Sequence, residues 1–247
     1  AVEGAKYIIS QIRVGKMPAR VLDEKIPLKY NILGQETTGP GGTLKAWRTI
    51  PASLEIARAV ARHAPEAWFL NFTNPSGIIT EALLKHSPVK VIGLCDNPVN
   101  AQYTIALALN VQPERVFLEW MGMNHVNWIR RVLLDGRDVT MQIMDLIEAK
   151  VNERLNYRFP TDIDLIRALG VLPNFYLQYY YHHPRITALR QSESKTRGEI
   201  VLELEKKLFA AYRDPNQHIK PAELSQRGGA MYSKAAIPLI LSILHDR

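Results

Sequence analysis

The stretch AWFLNFTNPSG, residues 67–77, decides the fold class. It contains a nearly all-apolar segment from Ala67 to Phe72, a turn at Asn74-Pro75-Ser76-Gly77, and then a helical segment from Ile78 to Lys85. A strand without polar alternation is typical of a parallel sheet that is covered on both faces. The stretch therefore predicts an α/β protein.

Two other segments have the same strand character, residues 6–10 and residues 89–94. Residues 13–29 are predicted to form a polar loop and residues 34–42 a glycine-rich loop. A helix is expected to begin near Thr43. Strands that alternate with helical segments predict a parallel sheet built from βαβ units.

Polar side chains follow two of these strands at the points where the strands end. Asn74 follows the second strand, and Cys95 and Asp96 follow the third. Ligands of open parallel sheets bind beyond the carboxyl ends of the strands. We therefore expect these residues to share one edge, although loops that merely close the sheet would give the same pattern.

The pattern changes after Asn110. Residues 115–121 and 127–134 are predicted strands, and Asp135-Gly136 is a hairpin-turn signal. No Gly/Ser-rich linker separates the two parts, so a domain boundary is predicted near residue 112. The remainder is predicted to be mostly helical, in residues 141–155, 162–168, 174–181, 197–212 and 230–244.

Composition restricts the classes of function. The 247 residues carry a net charge of +7, with scattered basic residues and no aromatic-basic interleaving, so a small anion is favoured over nucleic acid. The sequence contains no apolar run of about 18 residues, so no membrane span is predicted. A single cysteine and no recognisable signal segment favour a cytoplasmic setting.

Cys95 and His125 are the first candidates for chemistry. A thiolate and an imidazole are good ligands for a transition metal, and two protein ligands leave coordination positions open for a substrate. Spacing alone leaves two other interpretations open. A single buried cysteine behaves as a small hydrophobe, and a single histidine is usually just hydrogen-bonded.

Carboxylates, a tyrosine and arginines complete the candidates. Asp96 and Glu36 are possible general acids, although most loop carboxylates are simply solvated. Tyr176 acts as a base only where a cation stabilises the phenolate, because its reference pKa is about 10. Arg13, Arg20 and Arg197 could bind a phosphate, although arginines in loops more often pair with nearby acids.

Five motifs in this order resemble glycoside hydrolase family 4, the NAD- and metal-dependent 6-phospho-glycosidases. The resemblance covers essentially the whole chain. The motifs are DEKIPLKYNILGQETTGPGG (23–42), NFTNPSGIITEAL (71–83), GLCDNP (93–98), GMNHVNW (122–128) and LPNFYLQYYY (172–181).

The resemblance implies a fold and a reaction. The fold is a partial Rossmann-type parallel sheet, similar to lactate and malate dehydrogenases, followed by a mostly helical α+β catalytic domain. Residues 1–112 would be the C-terminal part of the NAD-binding domain, and residues 113–247 a truncated substrate domain. The reaction is oxidation at sugar C3, proton removal at C2, elimination at C1, addition of water and reduction, with NAD and a divalent metal, typically Mn²⁺.

The resemblance also implies residue roles. Cys95 and His125 match the metal ligands. Tyr176 matches the base at C2, and Asp96 matches the position proposed as leaving-group acid in the α-glucoside branch.

A second group of residues matches positions that contact or lie near the substrate. Arg20 matches a contact to the 6-phosphate. Asn74 and Arg197 match other substrate contacts, and Glu36 lies in a loop implicated near the site. The expected ligand is a phosphorylated disaccharide or other 6-phospho-glucoside, and family members commonly form homo-oligomers.

Two departures from the family pattern matter. No glycine-rich turn for the NAD pyrophosphate precedes residue 6, so the chain is expected to be an internal fragment and no residue is assigned to NAD. Residues 95–98, Cys-Asp-Asn-Pro, match neither Cys-Asp-Met-Pro of the α-glucosidases nor Cys-Asn-Val-Pro of the β-glucosidases. Residues 71–75 and 226–233 favour the β branch, so a 6-phospho-β-glucosidase is expected.

Three alternatives stay open. A 6-phospho-α-glucosidase would share the same motifs. A 2-hydroxy-acid dehydrogenase would share the core, but it would need a catalytic His paired with Asp and no cysteine ligand. A non-catalytic fragment could bind a phospho-sugar or a partner without turnover.

Overall fold

The computed structural model describes residues 2–229 and 231–246, and these fall into two compact units. Unit 1 consists of residues 1–95 and 187–247, and unit 2 of residues 96–186. The domain boundary near residue 112 stays a prediction, because these compact units do not test it.

Unit 1 contains a three-stranded parallel sheet in the order β1-β2-β3, which confirms the α/β prediction. Ser10, Asn71 and Gly93 are aligned in the register of the three strands. The elements before residue 96 are β1 (Tyr7–Ser10), α1 (Lys16–Leu28), α2 (Gly39–His63), β2 (Trp68–Asn71), α3 (Ser76–His86) and β3 (Lys90–Gly93).

The core of unit 1 lies between this sheet and α2 with α3. Phe69 of β2 and Ile79 and Leu83 of α3 are fully buried there, with Val60 of α2. Burial of each large side chain contributes about 1.5–3 kcal/mol. This packing fixes the sheet edge at which the three strands end.

The predicted polar loop at residues 13–29 is wrong, because Lys16–Leu28 form α1. The helix buries Met17 and Pro27 but exposes Leu22 and Ile26. Asp23 and Glu24 are also buried, and ion pairs and hydrogen bonds satisfy them. Helix periodicity is read from apolar residues, so a helix that buries carboxylates escapes it.

Unit 2 is built on an antiparallel hairpin of β4 and β5, as the sequence predicts. Its core includes Ile105, Ile129, Ile143, Leu155 and Ile166, all fully buried. The unit contains α4 (Asn97–Ala108), β4 (Val116–Met123), β5 (Val126–Leu134), β6 (Arg137–Asp138), α5 (Thr140–Glu148), α6 (Glu153–Arg158), α7 (Ile163–Leu169), β7 (Leu172–Pro173) and α8 (Gln178–Tyr181). Short 3-10 helices cover Pro113–Arg115 and Phe175–Leu177.

Two local predictions in unit 2 have different outcomes. Asp135-Gly136 does form a tight turn, between β5 and β6, with positive φ at both residues. The single helix predicted over residues 141–155 is wrong. The chain leaves α5 with a left-handed residue at Lys150, and the Asn152 side chain then accepts from the backbone N of Leu155 to cap α6.

The remaining helices are α9 (His183–Ser192), α10 (Arg197–Ala211), α11 (Ala222–Arg227) and α12 (Tyr232–His245). A capping box at Thr196 and Glu199 begins α10. The predicted start of the last helix, Ala230, lies outside the described residues. Within residues 2–229 and 231–246, no helix combines the length and apolar character needed to cross a membrane.

Candidate functional site

The carboxyl ends of the strands in unit 1 meet at one edge, as expected. The backbone N of Leu94 donates to the O of Asn71 at 2.8 Å, and Ser76 Oγ donates to the O of Leu94 at 3.0 Å. These bonds place the loop with Asn74 beside the strand end with Cys95. Asn74 and Cys95 are both half-buried.

Buried polar side chains hold the loop that carries Asn74. Asn71 Oδ1 accepts from the backbone N of Thr73 at 3.1 Å, and Asn71 Nδ2 donates to Thr80 Oγ1 at 3.1 Å. Thr73 Oγ1 accepts from the backbone N of Ile12 at 3.1 Å. Sequence reasoning assigned no role to Asn71 and Thr73. Their side-chain hydrogen bonds hold this loop in place.

Unit 1 also contains a cluster of three cations around one carboxylate, here called the Glu36 cluster: Arg13, Arg20, Glu36 and Lys45. Lys45 Nζ lies 2.5 Å from Glu36 Oε1, and Arg20 Nη1 lies 3.0 Å from Glu36 Oε2. Arg13 Nη1 donates to the same Oε1. The structure thus brings together two predicted site residues, Arg20 and Glu36, and adds two that were not predicted to contact them.

The charges in the Glu36 cluster change the acidity of its members. Burial alone would raise the pKa of Glu36, but Arg20, Lys45 and Arg13 outweigh it and lower this pKa to about 2. Burial lowers the pKa of Lys45 to about 8, against the opposing attraction of Glu36. At neutral pH the cluster therefore contains an ionised carboxylate surrounded by positive charge.

Close backbone packing positions Glu36 against α1. A Cβ on Gly34 would lie 1.9 Å from the backbone O of Glu24, so only glycine lets the loop approach the helix this closely. Glu24 in turn accepts from Arg20 Nε at 2.9 Å and from the backbone N of Gly198 at 2.6 Å. The glycine-rich loop, α1 and the first turn of α10 thereby hold the cluster.

Arg197 lies at the first residue of α10 and is exposed. Its Nη2 donates to the backbone O of Gln226 at 2.5 Å and of Arg227 at 3.3 Å. These carbonyls belong to residues 226–233, the segment that favours the β branch. These two hydrogen bonds connect Arg197 to this segment.

In unit 2, His125 sits in the tight turn between β4 and β5. Its φ is +65°, a left-handed conformation, and its side chain is buried. Gly122, with φ of +107°, allows the turn, because a Cβ there would lie 2.4 Å from the backbone O of Val126. Left-handed backbone at a non-glycine residue persists only where the surroundings fix it, and such positions cluster at functional sites.

The imidazole of His125 stacks on the phenol ring of Tyr176. The ring centroids are 3.7 Å apart and the planes differ by 14°. Burial lowers the pKa of His125 to about 4, so the imidazole is neutral at neutral pH. A neutral imidazole has a nitrogen lone pair that can bind a metal.

Three asparagine side chains and the backbone of Tyr176 are connected by hydrogen bonds. We call this set the Asn174 network; it consists of Asn97, Asn127, Asn174 and Tyr176. Asn174 Nδ2 donates to Asn97 Oδ1 at 3.0 Å and to Asn127 Oδ1 at 2.6 Å. Asn174 Oδ1 accepts from the backbone N of Tyr176 at 3.0 Å. All three asparagine side chains are buried.

Asp96 lies immediately before α4, in unit 2. Burial raises its pKa, and the Arg158 charge and hydrogen bonds, including one from Asn100, offset part of that effect. Asn100 Nδ2 donates to Asp96 Oδ2 at 3.3 Å and to its backbone O at 3.1 Å. A carboxyl group with a raised pKa is better suited to give up a proton near neutral pH than an exposed aspartate.

The donor atoms fit a metal that has few protein ligands. Within the described part of the chain, no group of three or more His, Cys, Asp and Glu side chains is arranged to hold an ion. Cys95 and His125 supply one soft and one borderline ligand, and the neutral state of His125 suits binding. Cys95 in unit 1 and His125 in unit 2 are each, by their chemistry, suitable ligands for a divalent ion.

Each predicted site residue can now be placed. Arg20, Glu36, Asn74, Cys95 and Arg197 belong to unit 1, and Asp96, His125 and Tyr176 to unit 2. Direct contacts join Arg20 to Glu36 and His125 to Tyr176.

Sequence reasoning missed two sets of residues. Lys45 of the Glu36 cluster was not assigned a role, and neither were Asn97, Asn127 and Asn174. Arg13 was a candidate phosphate ligand, but its contact with Glu36 was not predicted. A signal existed for the asparagines, since all three lie inside the quoted motifs GLCDNP, GMNHVNW and LPNFYLQYYY. Each stands within two residues of a predicted site residue.

Both halves of the chain match models of one family. Residues 1–111 match the model described as family 4 glycosyl hydrolase, and residues 120–247 match the family 4 glycosyl hydrolase C-terminal domain. The chain belongs to family 4 of the glycosyl hydrolases. The resemblance inferred from the five motifs is confirmed.

Named relatives in family 4 include enzymes for both anomers. A probable 6-phospho-β-glucosidase of Bacillus subtilis (strain 168) is 42% identical over 100% of this chain and 58% of its own length. A maltose-6'-phosphate glucosidase of the same organism is 34% identical over 80% of this chain and 47% of its own length. The chain thus spans a little over half the length of the first relative.

A solved structure supports the fold. The 6-phospho-β-glucosidase from Thermotoga maritima, in a form with manganese, NAD+ and glucose-6-phosphate, has a TM-score of 0.87 at 37% identity. The match covers 97% of this chain and 56% of that chain. The predicted Rossmann-type fold with a helix-rich remainder is confirmed.

Proposed function

We propose that the protein cleaves 6-phospho-β-glucosides by the oxidation, elimination, addition and reduction sequence of its family, with NAD and the divalent metal Mn²⁺. The observation that carries the proposal is the neutral His125 imidazole stacked on Tyr176. A tyrosine acts as a base only beside a cation, and a metal ion bound by His125 would place that positive charge beside the phenol.

When bound, NAD would supply hydride-transfer chemistry at sugar C3, and the metal would supply Lewis acidity. Tyr176 removes the proton from C2. Asp96, with its raised pKa, protonates the leaving oxygen at C1. Cys95 and His125 would hold the metal.

The Glu36 cluster supports a phosphorylated substrate. Arg20 is the residue proposed to contact the 6-phosphate, and Arg13 and Lys45 add positive charge beside it. Such charge-assisted hydrogen bonds to an anion are stronger than neutral ones. Asn74 and Arg197 are proposed to contact the sugar, and Glu36 to orient the cations around it.

The β-anomer assignment is also a proposal. It is supported by the 42% identity to a probable 6-phospho-β-glucosidase, against 34% for a maltose-6'-phosphate glucosidase. Residues 95–98 still match neither branch, and Asn97 in that tetrapeptide now has a partner in Asn174.

Organisation and location complete the proposal. Residues 1–112 are proposed to belong to the NAD-binding domain and residues 113–247 to the substrate domain. No residue of this chain is assigned to the NAD pyrophosphate. Association into homo-oligomers and a cytoplasmic location are expectations from the resemblance and from the single cysteine.

The test is turnover by the full-length protein of matched 4-nitrophenyl 6-phospho-β- and α-glucosides, with NAD and Mn²⁺. We expect cleavage of the β substrate, loss of turnover with chelator or without NAD, and solvent deuterium at C2 of the product. Preferential α cleavage would overturn the anomer assignment. Turnover that persists without NAD and metal would overturn the mechanism, and net NADH from a 2-hydroxy acid would favour a dehydrogenase.

A further inference from the structure

The Asn174 network joins three separate segments of unit 2 through one side chain. Asn174 Nδ2 donates to Asn97 Oδ1 at the start of α4 and to Asn127 Oδ1 near the start of β5. Asn174 Oδ1 accepts from the backbone N of Tyr176. The side-chain amide thus uses both of its N–H donors and its acceptor in one buried junction.

Each bond holds a different part of the site. Asn127 is two residues from His125, and the backbone N of Asn174 also donates to the backbone O of Asn127 at 3.0 Å. Tyr176 is two residues from Asn174 and lies in the 3-10 helix that Asn174 caps. Moving Asn174 therefore changes the positions of both rings of the stacked pair.

Position 174 also has little room to adjust. Asn174 is only 2% exposed, and Asn97 and Asn127 are 7% and 9% exposed. A buried polar group that loses its hydrogen-bond partner destabilises the folded state, because no hydrogen bond offsets its desolvation. The junction therefore favours a single arrangement of the three segments.

We propose that Asn174 is the positioning residue that holds the Tyr176 phenol against the His125 imidazole. Asn97 is its anchor on α4. The roles of Tyr176 as base and His125 as metal ligand belong to the proposed function, and the kinetic consequence rests on it. The geometric consequence, the stacking of the two rings, does not.

The test variant is Asn174→Ser. A serine at this position keeps an oxygen that can cap the backbone N of Tyr176, but it loses both donors to Asn97 and Asn127. The matched control is Gln102→Ala, which removes an amide that donates to the backbone O of Pro113 at 2.9 Å and of Val116 at 2.8 Å. Gln102 lies in the same unit, and these bonds join α4 to the 3-10 helix at Pro113 and to the first residue of β4.

The first measurement is NMR of the full-length protein with ¹³C-labelled histidine, with the His125 signal identified by its loss in His125→Gln. The stacked phenol shifts this signal by its ring current, and Tyr176→Leu gives the unstacked position. We expect Asn174→Ser to move the signal toward the Tyr176→Leu position and Gln102→Ala to leave it in place. An unmoved signal in Asn174→Ser would overturn the proposal.

The second measurement separates kcat from KM for the 6-phospho-β-glucoside. Displacing a catalytic group by about 1 Å can cost about 100-fold, so we expect Asn174→Ser to lower kcat about 100-fold. KM should stay within about threefold, because no group that contacts the phosphate is altered. Equal kcat losses in Asn174→Ser and Gln102→Ala would reduce Asn174 to a structural residue.

A milder variant covers the possibility that Asn174→Ser does not fold. Asn97→Val removes one acceptor of Asn174 and places an apolar side chain of the β branch at that position. We expect the His125 signal to move in the same direction by a smaller amount, and an unmoved signal would contradict the anchoring role. A wild-type protein without glucosidase activity would refute the proposed function, while the NMR result would still decide the role of Asn174.

Discussion

The Glu36 cluster of unit 1 and the Asn174 network of unit 2 are both buried polar junctions, but they are held in opposite ways. In the first, three cations surround one carboxylate, and formal charges supply the attraction. In the second, neutral amides donate to neutral oxygens. The first arrangement depends on protonation state, whereas the second does not.

The difference corresponds to what each junction is proposed to do. Arg13, Arg20 and Lys45 face the carboxylates of Glu36 and Glu24, so the three cations exceed the two anions by one charge, which can attract an anion such as a phosphate. Burial keeps the neighbouring His125 uncharged at neutral pH, and the amides of the network carry no charge that would oppose this effect. The comparison predicts that changes in unit 1 alter binding and pH dependence, while changes in unit 2 alter the chemical step.

The largest effect is expected from Tyr176→Phe in the full-length protein. The variant removes the hydroxyl but keeps the ring that stacks on His125. Loss of a general base costs about 10²- to 10⁴-fold in rate, so kcat should fall by that range while KM changes little. Steady-state kinetics on the 6-phospho-β-glucoside, with exchange of C2 deuterium as a second readout, checks this.

The control for this variant is Tyr180→Phe, since Tyr180 is 78% exposed and its ring packs against Tyr181. It should be fully active. Wild-type kcat in Tyr176→Phe would show that another group takes the C2 proton, and the assignment of chemistry to unit 2 would then fail.

The second effect is a pH-dependent loss of stability in Glu36→Gln. The folded-state pKa of Glu36, about 2, lies below its ordinary value of 4.5. Its ionisation therefore stabilises the fold above pH 4.5, and this contribution is lost as the pH falls from 4.5 toward 2. Glu36→Gln should cost about 2–3 kcal/mol at pH 7, and the difference from wild type should shrink across that window.

Denaturant unfolding at a series of pH values measures this difference. Glu66→Gln is the matched control in unit 1, because Glu66 also pairs with a lysine, Lys90, but is almost fully exposed. Exposed ion pairs contribute little, so this control should unfold like wild type. A constant difference between Glu36→Gln and wild type from pH 7 to pH 2 would contradict the charged description of the cluster.

A third effect concerns binding. Arg20→Gln removes one of the cations of the Glu36 cluster. A charge-assisted hydrogen bond contributes about 1.5–3 kcal/mol, so KM for the 6-phospho-β-glucoside should rise about 10- to 100-fold. Because the base in unit 2 is unchanged, kcat should fall much less.

Arg20→Lys keeps the charge but loses the planar fork, so it should recover part of the affinity. A circular dichroism melt must accompany the kinetics, because Glu24 also loses its Arg20 partner. An unchanged KM in a folded Arg20→Gln protein would show that the phosphate binds elsewhere. The assignment of substrate binding to unit 1 and of the chemical step to unit 2 would then be wrong.

The two junctions also differ in how far the sequence predicts them. The parallel strands of unit 1 follow from apolar runs such as residues 67–72, and the β4–β5 hairpin follows from the same kind of signal. Arg20, Glu36, His125 and Tyr176 were found through motifs shared with a family. Local periodicity gave none of these contacts.

The remaining features depend on contacts between residues far apart in the chain. Lys45 is predicted as an ordinary helix residue, and only the folded chain puts its amine on Glu36. Apolar periodicity does not reveal α1, because the helix buries the carboxylates of Asp23 and Glu24 as well as Met17 and Pro27. Asn97 and Asn174 are 77 positions apart, and no spacing rule connects two neutral amides over that distance.

The smallest effect is expected from Thr196→Ala, which tests whether the support of the Glu36 cluster can be weakened without changing its chemistry. Thr196 Oγ1 accepts from the backbone N of Glu199 to cap α10. Loss of such a cap costs about 1 kcal/mol, which denaturant unfolding can measure. KM should not change, because the neighbouring Gly198 N still donates to Glu24 at 2.6 Å.

The control is Thr43→Ala, which removes an exposed hydrogen bond from the hydroxyl to the backbone O of Gly39. It should leave the free energy of unfolding and KM nearly unchanged. A raised KM in Thr196→Ala alone would mean that the start of α10 contributes to the binding site and does more than hold Glu24.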